Sequence, residues 1–257
     1  MISKPMIAFD RFRQALGFLT ILPVREKAGG SADAGLFTYA RFFPAVGILA
    51  GLLSGSIFYI ASLIWTGLIP ALLAVIASLI ATGALHEDGL ADTADAFGGG
   101  WTREQRLAIM KDSRLGTYGV LALGLGTALR VCALATLPPS IAVLALVAVH
   151  AGARFAPVAV LAAQTYAGDP STAKTSYAST RLPMSEARQA LLWTLLAIIP
   201  ILFMRPFALI VGLIFGAALS LALTLYSHKA IGGYSGDVLG AIEQVFEIGC
   251  LLGLAAA

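Results

Sequence analysis

In the stretch HEDGLADTADAF, residues 86–97, three aspartates stand at i, i+4 and i+7: Asp88, Asp92 and Asp95. At about 100° per residue they fall within roughly 60° of one another on a helix. Clustered carboxylates repel and raise one another's proton affinity. A hard divalent cation relieves that repulsion, and Mg²⁺ takes oxygen ligands and bridges carboxylates to substrate phosphates. A merely solvated helix end would intersperse lysines for i, i+4 pairing. The chain has no Lys or Arg between Leu85 and Arg103, so the three aspartates are read as metal ligands. Glu87 points about 100° away from Asp88 and falls off that face. His86 lacks the second histidine that a zinc-protease pattern requires. It stands as a packed or hydrogen-bonding histidine, and as a candidate substrate contact.

Two further runs carry chemistry. MKDSRLGTYG, residues 110–119, sets Lys111, Asp112, Ser113 and Arg114 just before a predicted helix. Backbone N–H groups at a helix start, with Arg and Ser beside them, suit an anion such as phosphate; cations at the cytoplasmic end of a span serve equally as topology anchors. GGYSGDVLGAIEQVFE, residues 232–247, opens the last predicted helix. Asp237 and Gln244 share a face there, and Gly240 and Ala241 leave room for a ligand between them. Glu247 lies ten residues beyond Asp237, roughly 15 Å deeper. An intramembrane carboxylate is costly and marks either function or a buried pair. Arg154 is its most economical partner, with His150 one turn deeper on the same face. Arg130 sits nearer the outer end of its span, where snorkelling to headgroups accounts for it as well as function does.

The elements that must position these residues are membrane helices. Hydrophobic residues make up 58% of the 257 positions and charged residues 12%, with a mean hydropathy of +0.86. Soluble domains usually hold about 45–50% apolar residues. A helix needs about 20 apolar residues to cross the hydrocarbon core. By that measure the chain has about seven spans, at 42–65, 68–85, 117–137, 141–163, 190–204, 207–226 and 238–256; the fifth is short. Residues 8–22 carry Phe9, Phe12, Leu16 and Leu19 at helical spacing beside Arg11 and Arg13, the pattern of an amphipathic interfacial helix. Pro23 and KAGGSADAG, residues 27–35, then mark a loop. Gly47, Gly51 and Gly55 repeat at i+4, a face on which a neighbouring helix approaches closely. Residues 101–112 read as a short amphipathic helix with Thr102 and Gln105 as its capping box. The fold class is all-α: a polytopic helical bundle forming a single domain, 1–257. Cys132 and Cys250 fall within spans and read as small hydrophobes.

Charge sets the orientation. With the N-terminus inside, fourteen Lys/Arg fall on the cytoplasmic side and one, Arg205, on the other; Arg130 and Arg154 lie within spans. That asymmetry follows the positive-inside rule. All fourteen acidic residues lie in the cytoplasmic segments or in the cytoplasmic half of the last helix. The chemistry is therefore expected at the cytoplasmic surface of the membrane.

Together, HEDGLADTADAF, MKDSRLGTYGVLAL and GGYSGDVLGA with the downstream EQVFE resemble the cobalamin 5'-phosphate synthase (adenosylcobinamide-GDP ribazoletransferase) family. FLTILPV and FFPAVGILAG near the N-terminus agree. The resemblance implies that a ribose hydroxyl of α-ribazole, or of its 5'-phosphate, attacks GDP-activated cobinamide and expels GMP, with Mg²⁺ required. On that reading Asp88, Asp92 and Asp95 hold Mg²⁺, while Lys111, Ser113, Arg114 and Arg154 contact phosphate, with Glu247 and His86 beside the substrate. Asp237 is a further metal ligand or the base, and Asp92 and Asp237 are the catalytic pair. The implied partners are the two substrates and membrane lipid, with no nucleic acid; the sequence leaves a homo-oligomer open. Two other readings compete. A CDP-alcohol phosphotransferase also clusters aspartates on membrane helices, but DGLADTAD has Asp92 after Ala91 where an Arg belongs. A divalent-cation transporter needs polar groups through the full membrane depth, and the outer half is nearly bare.

Overall fold

The computed structural model describes residues 4–24, 36–168 and 181–257. The expected loop at residues 27–35 lies outside them, as does Lys174. Among the described residues ten α-helices follow in order: α1 (Lys4–Leu19), α2 (Phe43–Ser62), α3 (Leu68–Thr82), α4 (Leu85–Gly99), α5 (Arg103–Met110), α6 (Thr117–Ala135), α7 (Pro139–Ala163), α8 (Met184–Met204), α9 (Pro206–Ile231) and α10 (Gly236–Ala256). Six are long and apolar enough to cross a membrane, and α3 with α4 passes as a bent pair. The chain is a multi-pass helical membrane protein.

Two spans differ from expectation. The fifth is not short: α8 begins at Met184 and runs 21 residues, because the polar first turn and the apolar run form one helix. The second is not a complete straight crossing. Helix α3 stops after 15 residues, roughly 22 Å, and α4 leaves at 91°. The elbow is built by two consecutive left-handed residues, Gly83 (φ +62°) and Ala84 (φ +56°). Their N–H groups close the end of α3 on Ile80 O and Leu79 O, as helix ends commonly do. Ile21, just past α1, donates its N–H to Ala81 O, and its Cγ2 would lie 2.7 Å from a Cβ on Gly83. Both the turn and the contact select glycine there.

Helix α10 packs on α4, α6, α7 and α9 and forms the centre of the bundle. The glycine stripe does what its spacing suggests. Cβ atoms on Gly47 and Gly51 would approach His150 O and Leu146 O to 2.4 and 2.6 Å, so α2 and α7 touch backbone to backbone. The capping box of α5 is present, with Thr102 accepting from Gln105 N and Gln105 reaching back. Arg103 and Arg106, counted above as topology anchors, also hold the end of α9: Arg103 Nε donates to Ile231 O (2.8 Å) and Arg106 Nη1 to Ala230 O (3.0 Å). Helix C-termini leave such carbonyls unpaired and favour cations. Helix α1 rests its inner face on the bundle, with Ala15 and Leu19 buried and Phe18 stacked on Phe43 at 5.7 Å; Phe9 is exposed.

The interior has two apolar clusters. One takes Val158 and Leu161 of α7 with Val238, Leu239 and Ile242 of α10. The other takes Ala145, Val149 and Ala153 of α7 with Phe246, Cys250 and Leu254 of α10. Glu243 and Arg154 fall where the two meet, and Glu247 and His150 lie one turn further into the second, so a polar layer crosses the core. Outer faces of α8 and α9 expose Leu192, Leu195, Phe203, Ile214 and Phe215, side chains suited to lipid.

Candidate active site

Helix α4 positions the acidic residues because its backbone lies directly on α10. A Cβ on Gly89 would meet Asp237 O at 2.7 Å and Gly240 Cα at 3.1 Å, so only glycine permits this crossing. The backbone of Asp237 thereby lies against α4 beside Asp88. Asp237 itself sits in the first turn of α10, where Ser235 Oγ caps Val238 N at 3.2 Å. The room expected at Gly240 is filled by α4: a Cβ on Gly240 would meet His86 Cα at 3.3 Å. No ligand space remains between Asp237 and Gln244 at that point.

A cavity of about 620 Å³ opens where the end of α1, the α3–α4 elbow and the segment before α6 meet. Asp88, Asp92 and Glu87 supply its carboxylates, and Ser113 a hydroxyl. Asp88 is exposed and Asp92 partly so. Asp95 is turned to another task. Its oxygens accept from Gly116 N (2.7 Å) and Gly119 N (2.9 Å), so it closes the start of α6. The helix start expected to receive a phosphate is thus already partnered by a carboxylate, which favours the same positive dipole end. Lys111 and Arg114 are exposed. Arg114 Nη2 lies 2.5 Å from Asp112 Oδ2, and this guanidinium holds the Asp112 carboxyl below its ordinary range.

Beneath the cavity lies the polar layer. Arg154 Nη1 is 3.1 Å from Glu243 Oε1 and 3.3 Å from His150 Nδ1. Glu247 meets Arg130 Nη1 at 3.4 Å and His150 Nδ1 at 3.4 Å. Arg130 Nη1 also lies 2.9 Å from Glu87 Oε1. His86 approaches Glu243 at 3.8 Å, and Gln244 Nε2 donates to Glu243 Oε2 at 2.9 Å. Two expectations change here. The ion-pair partner of Arg154 is Glu243, one turn from the expected Glu247. Arg130 does not snorkel: it is 1% exposed and links α4, α6 and α10. Arg154 is equally buried and does not line the cavity. Buried charges persist where partners compensate desolvation; this layer supplies the partners, while Arg130 Nε, Arg154 Nε and Glu87 Oε2 have no hydrogen bond among the described residues.

His150, Glu243 and Glu247 offer ligand atoms within 4.8 Å of one another, so this buried group could hold a metal, although Arg130 and Arg154 already sit on its carboxylates. The cavity above offers harder, accessible oxygens. Glu87, set off the acidic face by its spacing, and Arg130, left open between snorkelling and function, are the residues whose place the sequence did not reveal. The available signal was the cost of an unpaired arginine within a span, which demands a carboxylate at matching depth.

The family model of cobalamin-5-phosphate synthase matches residues 11–255. An adenosylcobinamide-GDP ribazoletransferase of Shewanella piezotolerans is 39% identical over 94% of this chain and 93% of its own. Proteins of the same name from Shewanella frigidimarina and Shewanella baltica are 40% and 36% identical, each over 94% of this chain and 92% of theirs. No solved structure matches. Nearly the whole length is shared, from α1 through α10, so this chain belongs to the cobalamin-5-phosphate synthase family.

Proposed function

We propose that the chain is an adenosylcobinamide-GDP ribazoletransferase, joining GDP-activated cobinamide to α-ribazole or its 5'-phosphate and releasing GMP. The observation that carries this is an acidic cavity at the α3–α4 elbow in a chain whose relatives bear that name. In the reaction a ribose hydroxyl oxygen of α-ribazole attacks the phosphorus on the cobinamide side of the pyrophosphate. One P–O bond forms, the bond to GMP breaks, and the hydroxyl proton is lost.

The donor set fits Mg²⁺: Asp88 and Asp92 present hard carboxylate oxygens around a space large enough for a pyrophosphate, and Glu87 adds a third. When bound, Mg²⁺ supplies charge neutralisation at the reacting phosphates. Asp237, held beside α4, is a further ligand or accepts the hydroxyl proton. Ser113 hydrogen-bonds a phosphate oxygen, and Lys111 and Arg114 bind the leaving GMP. Asp95 positions the segment that carries Ser113. Arg154, Glu247 and His86 support the site from the buried layer. An apolar cluster containing Cys250, Leu251 and Leu254 lies beyond that layer, which favours a surface enzyme over an ion path. Purified protein given GDP-cobinamide, α-ribazole and Mg²⁺ is expected to release GMP in step with cobalamin formation. GMP release without a joined product, or none at all, refutes the assignment.

The cavity is assigned to the cytoplasmic face and the N-terminus to the cytoplasm, on the strength of the Lys/Arg asymmetry. Helix α1 lies at that interface. Single cysteines at Gly99 and Pro139, in a background lacking Cys132 and Cys250, are expected to label from opposite sides of sealed vesicles. Labelling of both from outside overturns the orientation.

A further inference from the structure

Among the described residues, Glu87 alone belongs to both the cavity and the buried layer. It lines the cavity with Asp88 and Asp92, yet the residue is 7% exposed. Its Oε1 is held by Arg130, while Oε2 is buried with no hydrogen-bond partner among the described residues. A buried carboxylate oxygen left bare is costly, and a native structure retains one where something else occupies it.

The contacts of the layer point to what that is. Arg154 lies on Glu243, and Arg130 lies on Glu247 and on Oε1 of Glu87, which leaves Oε2 of Glu87 with no donor among the described residues. A carboxylate oxygen without a donor in a low-dielectric core attracts a cation. Glu87 is the member of the layer that lines the cavity, so that cation belongs in the cavity. Arg130 determines where Glu87 stands. Its Nη1 bridges Glu87 on α4 and Glu247 on α10, and it is itself 1% exposed on α6.

We propose that Arg130, anchored by Glu247, is a positioning residue that holds the free oxygen of Glu87 in place as a cation ligand of the acidic cavity. This rests on the divalent-cation reading above and adds a mechanism to it: the geometry of one ligand is set by an ion pair between two other helices. Partners that orient a metal ligand typically contribute roughly 10–100-fold in metal affinity.

The test is direct binding of Mn²⁺ to the purified full-length protein without substrate, read from the electron paramagnetic resonance signal of free Mn²⁺. Three variants are compared: Arg130→Lys, Glu247→Gln, and the double variant Arg130→Met/Glu247→Leu, which removes one charge of each sign. The double variant is expected to keep its helical content and a single size-exclusion peak but to bind Mn²⁺ roughly 10-fold or more weakly. Arg130→Lys, which preserves the charge, is expected to recover most of that loss. Glu247→Gln, which keeps the Arg130–Glu87 pair but loosens its anchor, is expected to fall between and decides the matter if the double variant does not fold. Wild-type Mn²⁺ affinity in a folded double variant, or in Glu247→Gln where that decides, overturns the positioning role alone. No Mn²⁺ binding by the wild-type protein overturns the divalent-cation reading itself, and this inference with it.

Discussion

Asp92→Asn is expected to lower turnover by on the order of 10²–10³ and to raise the Mg²⁺ concentration needed for half-maximal rate. The substitution keeps shape and removes one negative charge from a residue that lines the cavity. Asp95→Asn provides the contrast, although both aspartates lie on the same helical face. An amide oxygen can still accept one of the N–H groups of Gly116 and Gly119 that the carboxylate now binds, but the favourable charge at the start of α6 is lost. Its expected effect is a lower melting temperature with little change in Mg²⁺ dependence. Rate measurements across a Mg²⁺ titration, with thermal unfolding of both variants, separate the two. Matching Mg²⁺ profiles for Asp92→Asn and Asp95→Asn would contradict the division of labour drawn from the geometry.

That contrast illustrates what one-dimensional reasoning reaches. The period of the acidic motif places Asp88, Asp92 and Asp95 on one side of a helix, but not which neighbours that side meets along its length. The first two meet an open cavity, and the third meets the start of α6. The glycine stripe of α2 and the capping box of α5 were legible because each is complete within a few residues. The elbow was not, since Gly83 and Ala84 lie in a continuous apolar run and only their backbone angles end α3. Arg103 and Arg106 were legible as cations near a membrane end, while their partners at the end of α9 lie more than a hundred residues away. Depth along a helix can be counted at 1.5 Å per residue. Rotation about its axis relative to neighbours cannot, and this is why Arg154 was matched to Glu247 and Arg130 was left open between the headgroups and function.

The partner assignment has its own test. Arg154→Met and Glu243→Leu are each expected to destabilise the protein by about 3–5 kcal/mol, because each leaves a buried charge without its partner. The double variant Arg154→Met/Glu243→Leu removes both charges and is expected to be more stable than either single variant. Arg154→Met combined with Glu247→Leu should show no such recovery, since Glu247 lies with Arg130 and His150 instead. Thermal unfolding in one detergent, followed by loss of the monodisperse peak, reads the wild-type protein and these four variants on one scale. Recovery in the Glu247 pairing and not in the Glu243 pairing would reverse the assignment. The rescued double variant also decides the phosphate-contact role that the family resemblance implies for Arg154. A guanidinium that contacts substrate phosphate cannot be replaced by relieving its partner, so affinity for GDP-cobinamide would stay low despite restored folding. A guanidinium that only balances Glu243 beneath the cavity can be replaced in that way, and near-wild-type affinity in the double variant is the expected result.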